Sequence, residues 1–144
     1  MFRSALTALS NLSVSGVSVN YDIDTVPDII HRGQLPALLV LPIEPQPAGE
    51  GFEVIGFADG IKTMTYTVTH LLLVAPSAAG NGVKSHLPDL IDLIDNYFMA
   101  LAASVTLGGA LMEPARVHVE PGVFTYGETD YIGCAFRHVW MVQI

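Results

Sequence analysis

Apolar positions along this chain change their period several times, and each change marks an element. Phe2, Ala5, Leu6, Leu9 and Leu12 fall on one helical stripe. Gly16, with Ser13, Ser15 and Ser18 around it, ends that helix in a polar exit. Val17, Val19 and Tyr21 alternate with Ser18 and Asn20 as a short strand. Asp22 to Gln34 reads as a loop punctuated by Pro27 and Gly33. Leu35 to Ile43 is an apolar run of strand length, with Pro36 at its start, where a missing N–H is tolerated. Glu44 to Gly51 is a second loop, Phe52 to Phe57 a short strand, and Asp59-Gly60 a hairpin turn.

The clearest strand is Thr63 to Val74. Met64, Tyr66, Val68, His70, Leu72 and Val74 share one face, while the other begins with Thr63, Thr65, Thr67 and Thr69 and ends with Leu71 and Leu73. That pattern predicts a strand that starts half-exposed and ends buried on both faces. After a connection at Pro76 to Lys84, the spacing predicts a long helix over Ser85 to Val105. Leu87, Leu90, Ile91, Ile94, Tyr97, Phe98 and Leu101 form its buried stripe. Ser85 is placed to cap it, Pro88 suits the first turn, Asp89 suits the positive end of the dipole, and Gly108-Gly109 stops it. Ala115 to Tyr126 and Tyr131 to Ile144 alternate as a closing hairpin around Gly127 to Asp130. Ile132, Cys134, Phe136, His138, Trp140, Val142 and Ile144 share its inner face. Helix, strands, helix, strands predicts an α+β fold. It is a single domain over residues 1–144, a mostly antiparallel β-sheet with two main helices packed on one face.

Composition adds a mismatch. The chain is 51% apolar and only 14% charged, with a mean hydropathy of +0.47. No apolar run reaches the roughly 20 residues that span a bilayer. Contiguous exposed apolar surface usually marks a partner, so the expectation is a subunit of an assembly. Six basic residues face fourteen acidic ones, for a net charge of −8, and no two basic residues are adjacent. Nucleic-acid affinity rests on clustered Lys and Arg, so specific DNA binding is not expected. No apolar core follows Met1-Phe2-Arg3, so no signal peptide is expected. The single cysteine, Cys134, fits a reducing compartment.

Candidate chemistry is sparse. Asp89, Asp92 and Asp95 repeat along the second helix and read as its solvated side; three carboxylates near one face could hold a hard cation, but no second carboxylate cluster completes such a site. His31, His70, His86, His118 and His138 form neither HxH nor HExxH. His70 and His138 fall on apolar strand faces, as hydrogen-bonded core or interface histidines do. Cys134 and His138 lie four residues apart on one strand, roughly 13 Å, too far for a dyad. Gly56 to Thr63 misses the GxxxxGK[ST] spacing because Ile61 separates glycine from lysine, and a strand follows it where a phosphate loop needs a helix. No catalytic residue, metal or cofactor is assigned.

The layout resembles the tail terminator, or tail completion, proteins of long-tailed bacteriophages. The resemblance covers most of the chain. It runs through Tyr21-Asp22, Val26-Pro27, Gln34 to Pro42, Thr69 to Pro76, Leu87-Pro88-Asp89-Leu90, Tyr126-Gly127 and Tyr131 to Cys134, ending near Trp140. It implies a structural virion protein and not an enzyme. Its copies would form a homohexameric ring that caps the tail tube, ends polymerisation and offers a surface for head attachment. The implied partners are further copies of itself, the tail tube protein and a neck or head-completion protein. DNA would pass without specific binding, and no membrane is involved. The place implied is the head-proximal end of the tail, after assembly in the host cytoplasm. A head–tail connector or neck protein has a similar layout, and a small α+β ligand-binding or enzymatic domain is the other alternative. Candidate interface residues are Phe52, Phe57 and Lys62, on a hairpin at about 44–62 expected to protrude. Arg116, His118, Glu120 and Arg137 join them from the closing hairpin.

Overall fold

The computed structural model describes residues 2–42, 54–58, 61–77 and 84–143, with backbone alone for 54–58, 61 and 62. Helix α1 (Phe2–Ser10) precedes strands β1 (Val19–Tyr21), β2 (Ala37–Leu41), β3 (Val54–Ala58) and β4 (Ile61–Pro76). Helix α2 (Leu87–Ala102) and strands β5 (Arg116–Tyr126) and β6 (Thr129–Gln143) follow. The sheet runs β1-β2-β4-β6-β5, with β3 also on β4. The β1–β2 pair is parallel and every other pair antiparallel. The result is an α+β domain built on a mostly antiparallel sheet.

The alternating patterns in β4 and β6 set the centre of the fold. Val68, Leu72 and Val74 of β4 and Ile132, Cys134, Phe136, Trp140 and Val142 of β6 share one buried cluster. Leu38 and Val40, Ala5, Leu6 and Leu9 of α1, and Leu90, Leu93, Ile94, Tyr97 and Leu101 of α2 complete it. The other side of the sheet holds a smaller cluster around Ala37, Leu39, Leu71, Leu73, Tyr131 and Ala135, closed by Ile30. β4 is thus half-buried from Thr63 to Thr67 and buried on both faces from Val68 to Val74, as its alternation predicts.

β2 pairs with β4 down to Leu41↔Thr69, and β3 resumes at Val54↔Thr65 along the same edge. The hairpin expected at 44–62 therefore joins the sheet through its described residues. Ala58 opposes Ile61 and Phe57 opposes Lys62, and from Thr63 onward β4 also pairs with β6. This antiparallel hairpin replaces any phosphate-loop geometry at Gly56 to Thr63. Residues 43–53, 59 and 60, including Phe52 and the Asp59-Gly60 turn, lie outside the described residues.

Two glycines are required by close approach. Gly133 faces a register shift between Leu73 and Ala75 of β4, and a Cβ there would lie 1.9 Å from the Leu72 carbonyl oxygen. Gly127 (φ 55°) and Glu128 (φ 69°) turn the β5–β6 hairpin, a pair of positive φ values that matches the twist of the flanking strands. The turn is thus two residues, tighter than the expected span from Gly127 to Asp130.

Helix α2 departs from expectation in two ways. It spans Leu87–Ala102 with His86 at its N-cap position, and turns with positive φ at Leu107, Gly108 and Gly109 follow. Its buried stripe is also rotated. Leu93 is buried, whereas Leu87, Ile91 and Phe98 are exposed. Apolar residues fill about half of the helix circumference, and one face of a sheet accepts only part of so wide an arc.

Candidate interaction surface

The side of the sheet opposite the large cluster is covered at one end and open at the other. The covering segment is the 22–35 connection. Tyr126 donates its hydroxyl to the Pro27 carbonyl, and Tyr131 donates to the Ile30 carbonyl at 3.3 Å. The open end is a polar strip. Register places His118 opposite Arg137, Arg116 opposite Val139 and Glu120 opposite Ala135. Thr67 and Thr69 of β4 oppose Val139 and Arg137 from the other side. Arg137 Nε donates to Glu120 Oε2 at 2.8 Å, with the arginine side chain 29% exposed and the carboxylate 49%. Arg116 and Glu113 approach to 4.0 Å at the solvent surface. Exposed pairs of this kind contribute little stability, so they serve to fix the strip's geometry.

Four of the sequence-predicted interface residues, Arg116, His118, Glu120 and Arg137, therefore converge. Phe57 and Lys62 do not join them. Lys62 precedes the Thr63↔Gln143 pair, which puts it roughly 17 Å along the sheet from Val139 at about 3.4 Å per residue.

The outer edge of β5 is blunted. Across a two-residue hairpin the flanking pair, here Tyr126↔Thr129, exchanges both ladder hydrogen bonds, and the pattern then alternates. Odd-numbered residues of β5 therefore turn their backbone groups outward. Ala115 continues that phase by donating to the Val105 carbonyl at 2.8 Å. Pro121 falls in the outward phase and removes a donor in the middle of the edge. A capped end and a central proline both discourage strand addition.

A chain of hydrogen bonds crosses the core, and its direction follows from donor chemistry alone. Trp140 Nε1–H can only donate, and it donates to His138 Nδ1 at 3.2 Å. His138 is then the Nε2–H tautomer and donates to the Tyr97 hydroxyl oxygen at 2.7 Å. Tyr97 donates to His70 Nδ1 at 2.8 Å. His70 Nε2–H donates to Asn20 Oδ1 at 2.9 Å. The Asn20 amide donates to the Leu9 and Leu12 carbonyls at 3.2 Å each. One line of neutral groups thus ties β6, α2, β4 and β1 to the end of α1. Burial, and the neighbouring His138, push the His70 pKa well below its usual value. Burial takes His138 down to about 4 and holds Tyr97 well above the phenol range. Both rings are fully buried, so the chain holds elements together and reaches a partly exposed group only at Asn20. The sequence places both histidines on apolar strand faces, as hydrogen-bonded core or interface residues, and in the fold both are buried. Asn20, Tyr97 and Trp140 carried no signal for their part in the chain.

Cys134 is fully buried, and desolvation raises its thiol to about 11. Its sulfur lies near the Ala135 carbonyl oxygen at 3.9 Å, and such a thiol packs as a small hydrophobe. Asp89, Asp92 and Asp95 are exposed along α2. Asp89 and Asp92 border an open groove of about 420 Å³ with Gly16, Pro36, His86 and Asn96. Among the described residues, no cluster of three or more His, Cys, Asp or Glu side chains is arranged to hold a metal ion. No described helix is long and apolar enough to cross a membrane. Exposed apolar side chains are prominent: Ile91 is 53% exposed, Met99 73%, Ile29 60% and Val123 51%. No protein-family model matches the chain, and no curated protein matches it significantly.

Proposed function

We propose that this chain is a structural subunit of a long-tailed bacteriophage tail. It acts as a terminator that assembles into a ring, with six copies in the family it resembles. The ring closes the end of the tail tube, stops its growth and offers a face for joining the head. The observation that carries this reading is the set of exposed apolar side chains on α2, β5 and the 22–35 connection, on a chain with only 14% charged residues. Surface of that kind is stabilised by burial against neighbouring subunits. In this reading both helices lie on one side of the sheet. Heterologous contacts close into a ring when the rotation allows. The net charge of −8 suits a lumen through which DNA passes without adhering, since carboxylate repels phosphate.

Light scattering of the purified protein, with negative-stain images taken with and without tail tubes, tests this. Rings in solution, or monomers that become rings on tube ends, support the proposal. A monomer or dimer that ignores tubes overturns it, and a ligand-dependent rise in melting temperature in such a dimer would favour a ligand-binding domain.

A further inference from the structure

Helix α2 and the polar strip lie on opposite sides of the sheet. Tyr97 of α2 stacks on Phe136 at 3.7 Å, on the side of the large cluster. Arg137, Val139 and Met141 alternate with Phe136, His138 and Trp140 along β6, so they point to the other side. Each side sets a charge among apolar groups. On α2, Asp95 is exposed. Ile91 lies one turn before it and Phe98 and Met99 one turn after, and these three are 53, 40 and 73% exposed. The Phe98 ring sits edge-on to Phe136 at 6.0 Å, and Phe136 pairs with Val119 of β5, whereas Leu93 on the opposite flank closes on Gly16. The patch therefore looks outward on the β5 side. Helix α2 has no lysine or arginine, and none of Asp89, Asp92 and Asp95 forms an ion pair with a described residue. On the strip, Val139 and Met141 are half-buried, as are their partners Thr67 and Thr65. Arg116 stands opposite Val139, its side chain 71% exposed and 4.0 Å from Glu113. His118 and Arg137 are its neighbours.

We infer that the α2 patch of one copy seats on the polar strip of the next, with Asp95 on Arg116 and with Ile91, Phe98 and Met99 against Val139 and Met141. This deepens the ring reading and rests on it. Charge decides among the surfaces that a second copy can offer. Packing α2 on the α2 of a second copy would set carboxylate against carboxylate with no cation on either helix, and like charges brought together in an interface are strongly unfavourable. The cation of α1, Arg3, is already paired with Asp24. The strip supplies Arg116 within a half-buried apolar surround, the complement of Asp95. Since the two patches lie on opposite sides of one sheet, every copy uses both and the contact is heterologous. Such a contact repeats from copy to copy and closes when the rotation allows, whereas a self-complementary patch would stop at two.

Charge reversal and exchange test it on the full chain. Asp95→Lys and Arg116→Glu change exposed positions, so each variant should keep the native circular dichroism spectrum. Association is read by analytical ultracentrifugation over a dilution series. If the native chain is a monomer by itself, it is read by counting ringed tube ends in negative stain. Each reversal alone should weaken association by about tenfold or more. An equimolar mixture of the two variants should recover it, because the new lysine of one meets the new glutamate of the other while their native patches still match. The chain carrying both reversals should recover it by itself. Ile91→Ser with Met99→Ser should weaken association as well, while Glu128→Lys, at the β5–β6 turn, leaves it unchanged. Native-like association in either single reversal, or a loss that neither the mixture nor the double reversal restores, overturns this contact and leaves the ring reading standing. A native chain that is monomeric both alone and with tail tubes overturns the two together.

Discussion

Replacing Tyr97 by phenylalanine removes one oxygen atom and cuts the core hydrogen-bond chain at its middle. That oxygen accepts from His138 Nε2 at 2.7 Å and donates to His70 Nδ1 at 2.8 Å. Its loss leaves one buried donor and one buried acceptor, on rings with no solvent exposure. An orphaned buried polar group costs roughly 1–3 kcal/mol. Two of them, less the relief of no longer burying the phenol oxygen, give an expected loss of about 3 kcal/mol. The phenylalanine ring keeps the stacking of Tyr97 on Phe136, where centroids lie 3.7 Å apart at 8°, so packing is nearly constant. Urea unfolding followed by circular dichroism is the assay. With a slope of about 2 kcal/mol per molar, the midpoint should fall by about 1.5 M with the slope unchanged. A loss below about 1 kcal/mol would refute the reasoning, because it would mean that water or a rearranged ring satisfies both groups and the chain is not dry.

Three further outcomes are expected. Stability falls with acidification between pH 6.5 and about 4, because His138 stays neutral in the fold down to about 4 and titrates near 6.5 when unfolded. The unfolded state takes up the proton that the fold refuses, which amounts to about 3 kcal/mol across that window, and His70 acts with the same sign. Urea midpoints that rise or stay flat from pH 7 to pH 4.5 would contradict this. Nitrogen shifts in the native protein should report His138 and His70 both as neutral Nε2–H tautomers at pH 7, and an Nδ1–H signal from either ring would reverse the assigned direction. Gly133→Ala places a methyl group against the Leu72 carbonyl, where a Cβ would lie 1.9 Å away, and should cost several kcal/mol or abolish soluble expression. Gly122→Ala meets only the Phe124 ring at 3.8 Å and should leave the melting temperature within a few degrees.

What the sequence made legible follows the range of each interaction. The β4 and β6 alternations are local, and they place His70, His138, Cys134 and Trp140 on the buried side. The helical stripe of α1 is equally local, and Ala5, Leu6 and Leu9 are buried as expected. The stripe of α2 shows where periodicity stops. Its apolar arc is wide enough to admit two orientations, and the one adopted buries Leu93 and exposes Leu87, Ile91 and Phe98. Phe136 stacking on Tyr97 and the close approach of Leu93 to Gly16 define that orientation. Both are contacts between distant segments, absent from any local pattern. The convergence of Arg116, His118, Glu120 and Arg137 was half legible. Each residue's face could be read, but the Arg137–Glu120 pair needs the register that the two-residue turn sets.

The polar chain in the core and the exposed apolar flank of α2 are two consequences of one orientation. Tyr97 reaches both histidines only when α2 turns that side of its arc down onto β4 and β6. Neighbouring positions on the helix are fixed by the same rotation, so Leu87, Ile91 and Phe98 are carried out on the flank beside β5. A helix rotated to bury those three would leave the hydroxyl out of reach and two buried rings unsatisfied, which is costlier than leaving apolar surface in water. A one-residue slip of β6 would turn His138 and Trp140 away from Tyr97, so the chain also fixes strand register. The satisfied core thus dictates the unsatisfied surface. Whatever covers α2 in an assembly meets a flank whose exposure is set by hydrogen bonds in the core beneath it.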